Sequence, residues 1–142
     1  MPKNAEFTDK LRSSWLRPTK QRLKICEFLF NRDYTFHFTV NDLVKKISNE
    51  MKERISLATV YNTVHAFKKK GYLKEISINS DKSYFDTNTS NHHHFFDEDT
   101  NELIDCDDGV IETPRIKKNI SGKKINSVEV LIKVATDNQN QK

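Results

Sequence analysis

The sequence predicts an α+β protein in which a first domain of helices and a β-hairpin is followed by a smaller domain built on short strands. Apolar residues recur at helical spacing as far as Gly71 and then alternate, as they do in half-buried strands. Charge also divides along the chain. Residues 1–82 carry 17 Lys and Arg against 9 Asp and Glu, a net charge of +8, whereas residues 83–142 carry 7 against 11, a net charge of −4. These observations indicate two domains with different binding partners.

Two helices are expected before residue 31. Phe7, Leu11 and Trp15 form the apolar face of the first helix, and Pro18 ends the pattern because proline disfavours helical backbone in the residue before it. A second helix is expected to begin near Thr19. Its predicted buried side chains are Leu23, Ile25, Cys26, Leu29 and Phe30.

Two further helices carry recognisable end signals. Thr39, with Asp42 three residues later, predicts the capped start of a third helix. Ser56 predicts the start of a fourth helix, and Gly71 predicts its end. The apolar side chains expected to face inward are Leu43, Val44, Ile47 and Met51 in the third helix and Leu57, Val60, Val64 and Phe67 in the fourth.

The segment after Gly71 predicts strands. Residues 72–78 and 83–85 alternate around a turn-like segment and are expected to form a β-hairpin. Helices followed directly by a hairpin are typical of a winged helix-turn-helix domain, which we place at residues 1–86. A linker at 87–91 precedes a second domain at 92–142, in which strands are expected at 92–96, 102–106 and 127–135.

The exposed face of the fourth helix carries side chains suited to reading DNA. If its apolar residues face the core, Ala58, Thr59, Tyr61, Asn62 and His65 lie outside. Asparagine can bond base edges, and alanine, threonine and tyrosine can pack on thymine methyl groups. A run of three lysines at 68–70 and the basic first domain suit a polyanion. An ordinary amphipathic surface helix explains the pattern equally well.

Composition excludes several classes of protein. Charged residues make up 31% of the chain and the mean hydropathy is −0.76, and no apolar run approaches the roughly twenty residues of a membrane span. The first residues lack the apolar stretch of an export signal, so we expect a cytoplasmic protein that does not bind membranes. Cys26 and Cys106 are far apart, so neither a disulfide framework nor a thiolate zinc site is expected.

Three consecutive histidines, His92, His93 and His94, are the clearest candidate for a ligand site. In a strand, alternate side chains share a face, so His92 and His94 would point together and His93 would point away. Paired imidazoles with nearby carboxylates suit Fe(II), Mn(II) or Zn(II). Heme is the alternative occupant, because histidine is a common axial ligand and Phe95 and Phe96 could pack on the macrocycle. A single surface histidine, by contrast, needs no ligand to explain it.

Several segments resemble the ferric uptake regulator family. The strings SLATVYNTV, LKEI and KSYFD are similar to the family's motif around the recognition helix and wing, and RPTKQRLKICEFLF is similar to its second helix. HHHFF and DDGVIET are most similar to the iron response regulators within that family. The similarity covers about residues 10–135, which is nearly the whole chain.

The resemblance implies a DNA-binding winged helix, a small α/β dimerisation domain and a regulatory metal site between them. It implies five metal ligands, namely His37, Asp86, His92, His94 and Asp105. It also implies a recognition tyrosine at Tyr61 and a basic DNA contact at Lys20 or Arg22. We therefore expect DNA contacts from Lys20, Arg22, Ser56, Ala58, Thr59, Tyr61 and Asn62.

This chain departs from the family pattern at the structural zinc site. Asp97 and Thr100 stand where many members carry a CxxC pair, so no thiolate zinc site is expected. A heme-regulatory Cys-Pro motif is also missing. Heme ligation would therefore fall to His92, His93 or His94, with Cys106 as a more remote candidate.

Three functional hypotheses follow. The first is an iron-responsive repressor that binds a double-stranded operator as a homodimer and releases it when heme signals sufficiency. The second is a repressor of the same family that needs Fe(II) or Mn(II) as co-repressor, or that senses peroxide through oxidation of a ligand histidine. The third, a small non-heme metalloenzyme, is disfavoured because the chain has only three glycines and no cofactor fingerprint, so we expect no enzymatic activity. The sequence leaves the effector and the sign of the response open.

Overall fold

The computed structural model describes residues 2–52 and 54–138. The chain divides into two units between Thr89 and Ser90. Within the described residues, the first unit contains four helices and a three-stranded sheet, and the second contains another three-stranded sheet. This combination of helices and sheets confirms the predicted α+β class. No helix among these residues is long and apolar enough to cross a membrane.

The last three helices begin where the local sequence signals predict, and the fourth also ends as predicted at Gly71. They are α1 (Pro2–Ser13), α2 (Lys20–Phe30), α3 (Val40–Met51) and α4 (Leu57–Lys70). The hydroxyls of Thr19, Thr39 and Ser56 each accept a hydrogen bond from the backbone N–H three residues later. These bonds satisfy donors that the first turn of a helix otherwise leaves without a partner. The three caps therefore fix the starts of α2, α3 and α4.

The apolar faces of the helices meet in one core within the first unit. Leu43 and Ile47 of α3 and Val60, Val64 and Phe67 of α4 have no exposed surface, as predicted. Cys26 is also fully buried, and burial raises the pKa of its thiol to about 12. The thiol therefore stays protonated and packs as a small apolar group.

Several details of this predicted core differ in the structure, and Val44 and Met51 of α3 are only partly buried. Leu57 is 52% exposed because it is the first residue of α4, one turn before the buried residues, and Thr63 is buried in the same helix instead. In α2 the buried face includes Phe28, whereas Leu23 and Phe30 are only partly buried against the core. Helical spacing predicts which side of a helix is apolar. It does not predict which part of the helix length is covered by neighbouring elements.

The end of α1 differs from the prediction for Trp15, which is 96% exposed. Its N–H donates to the carbonyl of Arg12, and the N–H of Leu16 donates to the carbonyl of Leu11. This hydrogen-bond pattern is a Schellman turn, which needs left-handed backbone at the residue after the helix. Trp15 accordingly has a φ of +61°. The same turn closes α4, where Gly71 takes that position with a φ of +94°.

Replacing Trp15 with glycine is therefore expected to stabilise the protein. Left-handed backbone strains a residue that carries a Cβ, and the exposed indole loses almost no burial on removal. The entropy that glycine adds to the unfolded chain offsets part of the gain, so we expect about 0.5–1 kcal/mol in the free energy of unfolding. Urea denaturation followed by circular dichroism measures this change. Gly71→Ala is the matched control and should destabilise, and a destabilised Trp15→Gly variant would contradict the account.

The first sheet has three antiparallel strands, β1 (His37–Phe38), β2 (Lys74–Asn79) and β3 (Lys82–Asp86), in the order β1-β3-β2. Strands β2 and β3 form the predicted hairpin, with an irregular register between Ser77 and Asn79. Strand β1 was not predicted, because two residues are too few to show an alternating pattern. Phe38 of β1 pairs with Phe85 of β3, and both side chains are buried.

The second unit contains β4 (His94–Asp97), β5 (Glu102–Asp105) and β6 (Leu131–Val134), in the order β5-β4-β6. Strands β4 and β5 form an antiparallel hairpin, whereas β6 runs parallel to β4. All three predicted strands are present but shorter than predicted, and β6 differs most. Residues 106–130 connect β5 to β6 through turns and irregular backbone.

Candidate metal and nucleic-acid sites

In the first unit, the side chains of His37 and Asp86 lie on adjacent strands. They occupy paired positions of β1 and β3, and His37 Nε2 is 3.2 Å from Asp86 Oδ2. Asp86 is only 1% exposed, and a buried carboxylate is costly unless a positive or donating group accompanies it. The backbone N–H of Asn88 donates to its other oxygen at 2.8 Å. The pairing of β1 with β3 therefore holds one imidazole and one carboxylate side by side.

Two residues that were not predicted help to define this pair. Thr87 holds β1 in place, because its N–H donates to the carbonyl of Phe36 and its hydroxyl accepts from the N–H of Phe36. Lys74 occupies the position opposite Asp86 on β2. Burial lowers the pKa of Lys74, and the negative charge of Asp86 partly opposes that effect. Neither residue belongs to a recognisable local pattern, so only the fold reveals its position.

In the second unit, two imidazoles meet one carboxylate. His92 Nε2 is 3.2 Å and His94 Nε2 is 3.1 Å from the same oxygen of Asp105. The centroids of the two imidazole rings are 4.3 Å apart. His94 and Asp105 occupy paired positions of β4 and β5, so the hairpin register brings them together. The arrangement offers two nitrogen ligands and one oxygen ligand within a small volume.

A hydrogen bond on the far side of His92 fixes the tautomer of its ring. His92 Nδ1 is 2.7 Å from the carbonyl oxygen of Ser90, and a carbonyl can only accept, so Nδ1 carries the proton. A neutral His92 then directs the lone pair of Nε2 at a carboxylate oxygen, which is repulsive. The contact becomes favourable when a cation lies between them or when His92 is doubly protonated. Two imidazole nitrogens and one carboxylate oxygen form a donor set that suits a divalent cation.

His93 points away from this cluster. Its Nδ1 accepts a hydrogen bond of 2.8 Å from the backbone N–H of Val130, just before β6. Cys106 follows β5, and burial, with smaller effects from the charges of Asp105 and Asp107, raises the pKa of its thiol. The thiolate form of Cys106, which is the form that ligates metals, is therefore disfavoured.

The predicted DNA-binding residues lie at the starts of α2 and α4 and along α4. Lys20, Ser56, Ala58, Tyr61 and Asn62 are exposed, and Arg22 and Thr59 are partly exposed. The hydroxyl of Ser56 already caps α4 and bonds Thr59 Oγ1 at 2.9 Å. The guanidinium of Arg22 donates to the carbonyl of Arg17. Among the predicted contacts on α4, Tyr61 and Asn62 are therefore the exposed polar side chains that do not take part in the helix cap.

Comparison with known proteins identifies the family. The model of the ferric uptake regulator family matches residues 13–134. The chain belongs to this family. Members of the family are transcription regulators, which agrees with the expectation that the protein is not an enzyme.

Two curated relatives illustrate where the chain lies within the ferric uptake regulator family. The peroxide operon regulator of Bacillus subtilis (strain 168) is 31% identical over 121 residues, which cover 84% of this chain and 81% of the relative. The peroxide-responsive repressor PerR of Staphylococcus aureus (strain Mu50) is 35% identical over 100 residues, which cover 70% and 66%. These names support the predicted family but give no support to the iron response regulator subfamily.

Solved structures of the family share the fold of this chain. The ferric uptake regulator from Pseudomonas aeruginosa, solved with manganese, is 25% identical with a TM-score of 0.67, covering 96% of this chain and 98% of that one. The Vibrio cholerae ferric uptake regulator is 24% identical with the same TM-score, covering 91% and 98%. The predicted architecture, an N-terminal DNA-binding domain followed by a small dimerisation domain, is confirmed.

Proposed function

We propose that this protein is a homodimeric repressor that binds operator DNA when a divalent metal occupies its histidine and aspartate ligands, and that releases DNA when peroxide oxidises a ligand histidine. The observation that carries the proposal is the cluster of His92, His94 and Asp105, in which two imidazole nitrogens lie within 3.2 Å of the same carboxylate oxygen. The two curated relatives, both named as peroxide regulators, support the choice of peroxide as the signal.

The metal site in this proposal joins the two ligand sets. His37 and Asp86 supply one imidazole and one carboxylate, and His92, His94 and Asp105 supply two imidazoles and another carboxylate. Three nitrogen and two oxygen ligands suit Fe(II), Mn(II) or Zn(II). Because the two sets belong to different units, binding one ion with both would restrict their relative motion. That restriction is the proposed link between metal occupancy and the spacing of DNA-binding domains in the dimer.

The DNA contacts in this proposal come from the first unit. We propose that α4 enters the major groove, with Tyr61, Asn62 and Ala58 near base edges and Ser56 and Thr59 at its start. Lys20 and Arg22 at the start of α2 would contact phosphate groups, where each neutralised phosphate releases condensed counterions. The lysines at 68–70 at the other end of α4 add to the positive charge of this unit.

The second unit is proposed to form the dimer. Strand β6 lies at an edge of its sheet, next to β4, and an edge strand can pair with the same strand of another copy. The unit also exposes apolar side chains, among them Val134 on β6 itself, Ile104 on β5 at the opposite edge, and Ile116 in the segment that leads to β6. A symmetric pairing of two copies would cover such residues.

Heme is not part of the proposal, because both curated relatives are named as peroxide regulators and neither name mentions heme. The charge and burial around Cys106 disfavour its thiolate. The metalloenzyme hypothesis is not proposed either, because the curated relatives are regulators.

Operator affinity of the full-length protein, measured by fluorescence anisotropy, tests this function. We expect Mn(II) to raise the affinity at least tenfold over the metal-free protein, within the usual range of linkage between two ligands. With Fe(II) bound, hydrogen peroxide should abolish the gain: one peroxide oxygen is added to a ligand imidazole and the other leaves as water. Mass spectrometry should then find a one-oxygen adduct on the peptide carrying His92 and His94 or on that carrying His37.

Two outcomes would contradict the proposal. If metal leaves DNA affinity unchanged while hemin lowers it, the effector is heme and the sign of the response is reversed. If peroxide acts equally on the Mn(II) and Fe(II) forms, oxidation does not depend on iron at the histidine site. Substrate turnover by the iron-loaded protein that survives Tyr61→Ala would instead support the metalloenzyme hypothesis.

A further inference from the structure

A line of aromatic rings runs inward from the exposed face of α4. Tyr61, 51% exposed, lies one turn before His65, and the centroids of their rings are 4.1 Å apart at an angle of 38°. At this separation the two rings are in direct contact along the helix. The position of the tyrosine ring therefore depends on the histidine ring beside it.

His65 also contacts the sheet of the same unit. Its ring meets Phe85 of β3 edge to face, with centroids 5.3 Å apart at 79°. Phe85 is 2% exposed and stacks on Phe38 of β1 at 5.9 Å and 28°. His65 thus contacts an exposed ring of α4 on one side and a buried ring of the sheet on the other.

The sheet residues in this line are the neighbours of His37 and Asp86. Phe38 and Phe85 form one register pair of β1 and β3, and His37 and Asp86 form the next. A change in the separation of these two strands at His37 and Asp86 must therefore also change the positions of Phe38 and Phe85. Because the core around them is closely packed, such a shift cannot be absorbed locally without cost.

We propose that His65 is a positioning residue that couples the state of the His37–Asp86 pair to the orientation of Tyr61. The inference rests on the proposed function, in which that pair binds metal and Tyr61 contacts DNA. Metal binding draws His37 and Asp86 onto one ion, and the altered strand pair moves Phe85 against His65, which holds Tyr61 in its DNA-binding orientation. Coupling of this kind is reciprocal, so operator DNA in turn strengthens metal binding.

The test is a thermodynamic cycle on full-length His65→Ala protein. Operator affinity is measured by anisotropy with and without Mn(II), and Mn(II) affinity is measured without DNA by electron paramagnetic resonance. We expect the gain in DNA affinity produced by Mn(II) to fall about fivefold. A change of this size corresponds to the free energy of one contact between aromatic rings. Mn(II) affinity without DNA should stay at the wild-type value, because His65 is not a metal ligand.

His65→Phe keeps an aromatic ring in this position and serves as the matched control. It should restore most of the Mn(II)-dependent gain, since ring packing rather than hydrogen bonding carries the coupling. An equal loss of DNA affinity with and without metal in His65→Ala, not rescued by phenylalanine, would overturn the inference and make His65 a direct DNA contact. If His65→Ala keeps the full Mn(II)-dependent gain of the wild type, the coupling inference is overturned while the proposed function stands. A wild-type protein without any Mn(II) response would overturn the proposed function, and the coupling with it.

Discussion

The double substitution His92→Ala, His94→Ala is expected to abolish the Mn(II)-dependent gain in operator affinity. It removes both imidazoles that face Asp105 Oδ1, leaving the second unit with one carboxylate as a ligand. Loss of two inner ligands should weaken metal binding by more than the roughly 10- to 100-fold that loss of a supporting residue costs. Isothermal titration with Mn(II) and anisotropy with operator DNA measure the two effects. DNA binding without metal should remain measurable, because neither histidine is a proposed DNA contact.

His93→Gln is the matched control for this variant. It removes an imidazole from the same run but keeps an acceptor for the N–H of Val130, so it should retain the Mn(II) response. If the double variant still responds to Mn(II) while His93→Gln does not, the metal ligands are misassigned. Circular dichroism of each variant separates ligand loss from unfolding, because His94 is buried.

Phe67→Ala is expected to cost about 3–5 kcal/mol in the free energy of unfolding, the range for truncating a fully buried phenylalanine. Phe67 has no exposed surface, and its ring meets Phe30 at 5.5 Å and Tyr72 at 6.0 Å, both edge to face. Alanine would remove these contacts and leave a cavity where α4 meets α2 and the segment before β2. Urea denaturation monitored by circular dichroism measures the loss.

Phe67→Leu retains most of the volume and should cost much less, about 1–1.5 kcal/mol. Phe30→Ala removes one of the two edge-to-face contacts at a partly buried position, and its effect should lie between the two. A loss below about 1 kcal/mol for Phe67→Ala would mean that the cavity collapses, and that α4 is not held by this ring.

Those features that depend on neighbouring residues alone were predictable from the sequence. Thr19, Thr39 and Ser56 cap helices through bonds that reach three residues, and Gly71 ends α4 through its own backbone freedom. The alternation expected of a strand likewise placed His92 and His94 together and His93 apart, although β4 begins only at His94. The fold class could be predicted from these local signals because each of these helices and strands carries its own signal in the sequence.

Other features depend on contacts between distant segments. Trp15 fits the helical spacing of Phe7 and Leu11, yet a Schellman turn ends the helix before it and turns the indole outward. The pairing of His37 with Asp86 joins positions 49 residues apart through a two-residue strand, which no local pattern indicates. Only resemblance to the family suggested both as ligands, and no periodicity pointed to the contact between His65 and Phe85.

The parallel pairing of β6 with β4 has a consequence for the order of events during synthesis. Parallel neighbours need a long crossover, and here residues 106–130 separate β5 from β6. The ribosome must therefore release residues up to 134 before the second sheet can close, whereas the first unit is complete by residue 89. Since translation adds about 5–20 residues per second, the first unit has seconds to fold on its own before the second sheet forms. A nascent chain stalled between these two points should already resist protease in its first 89 residues.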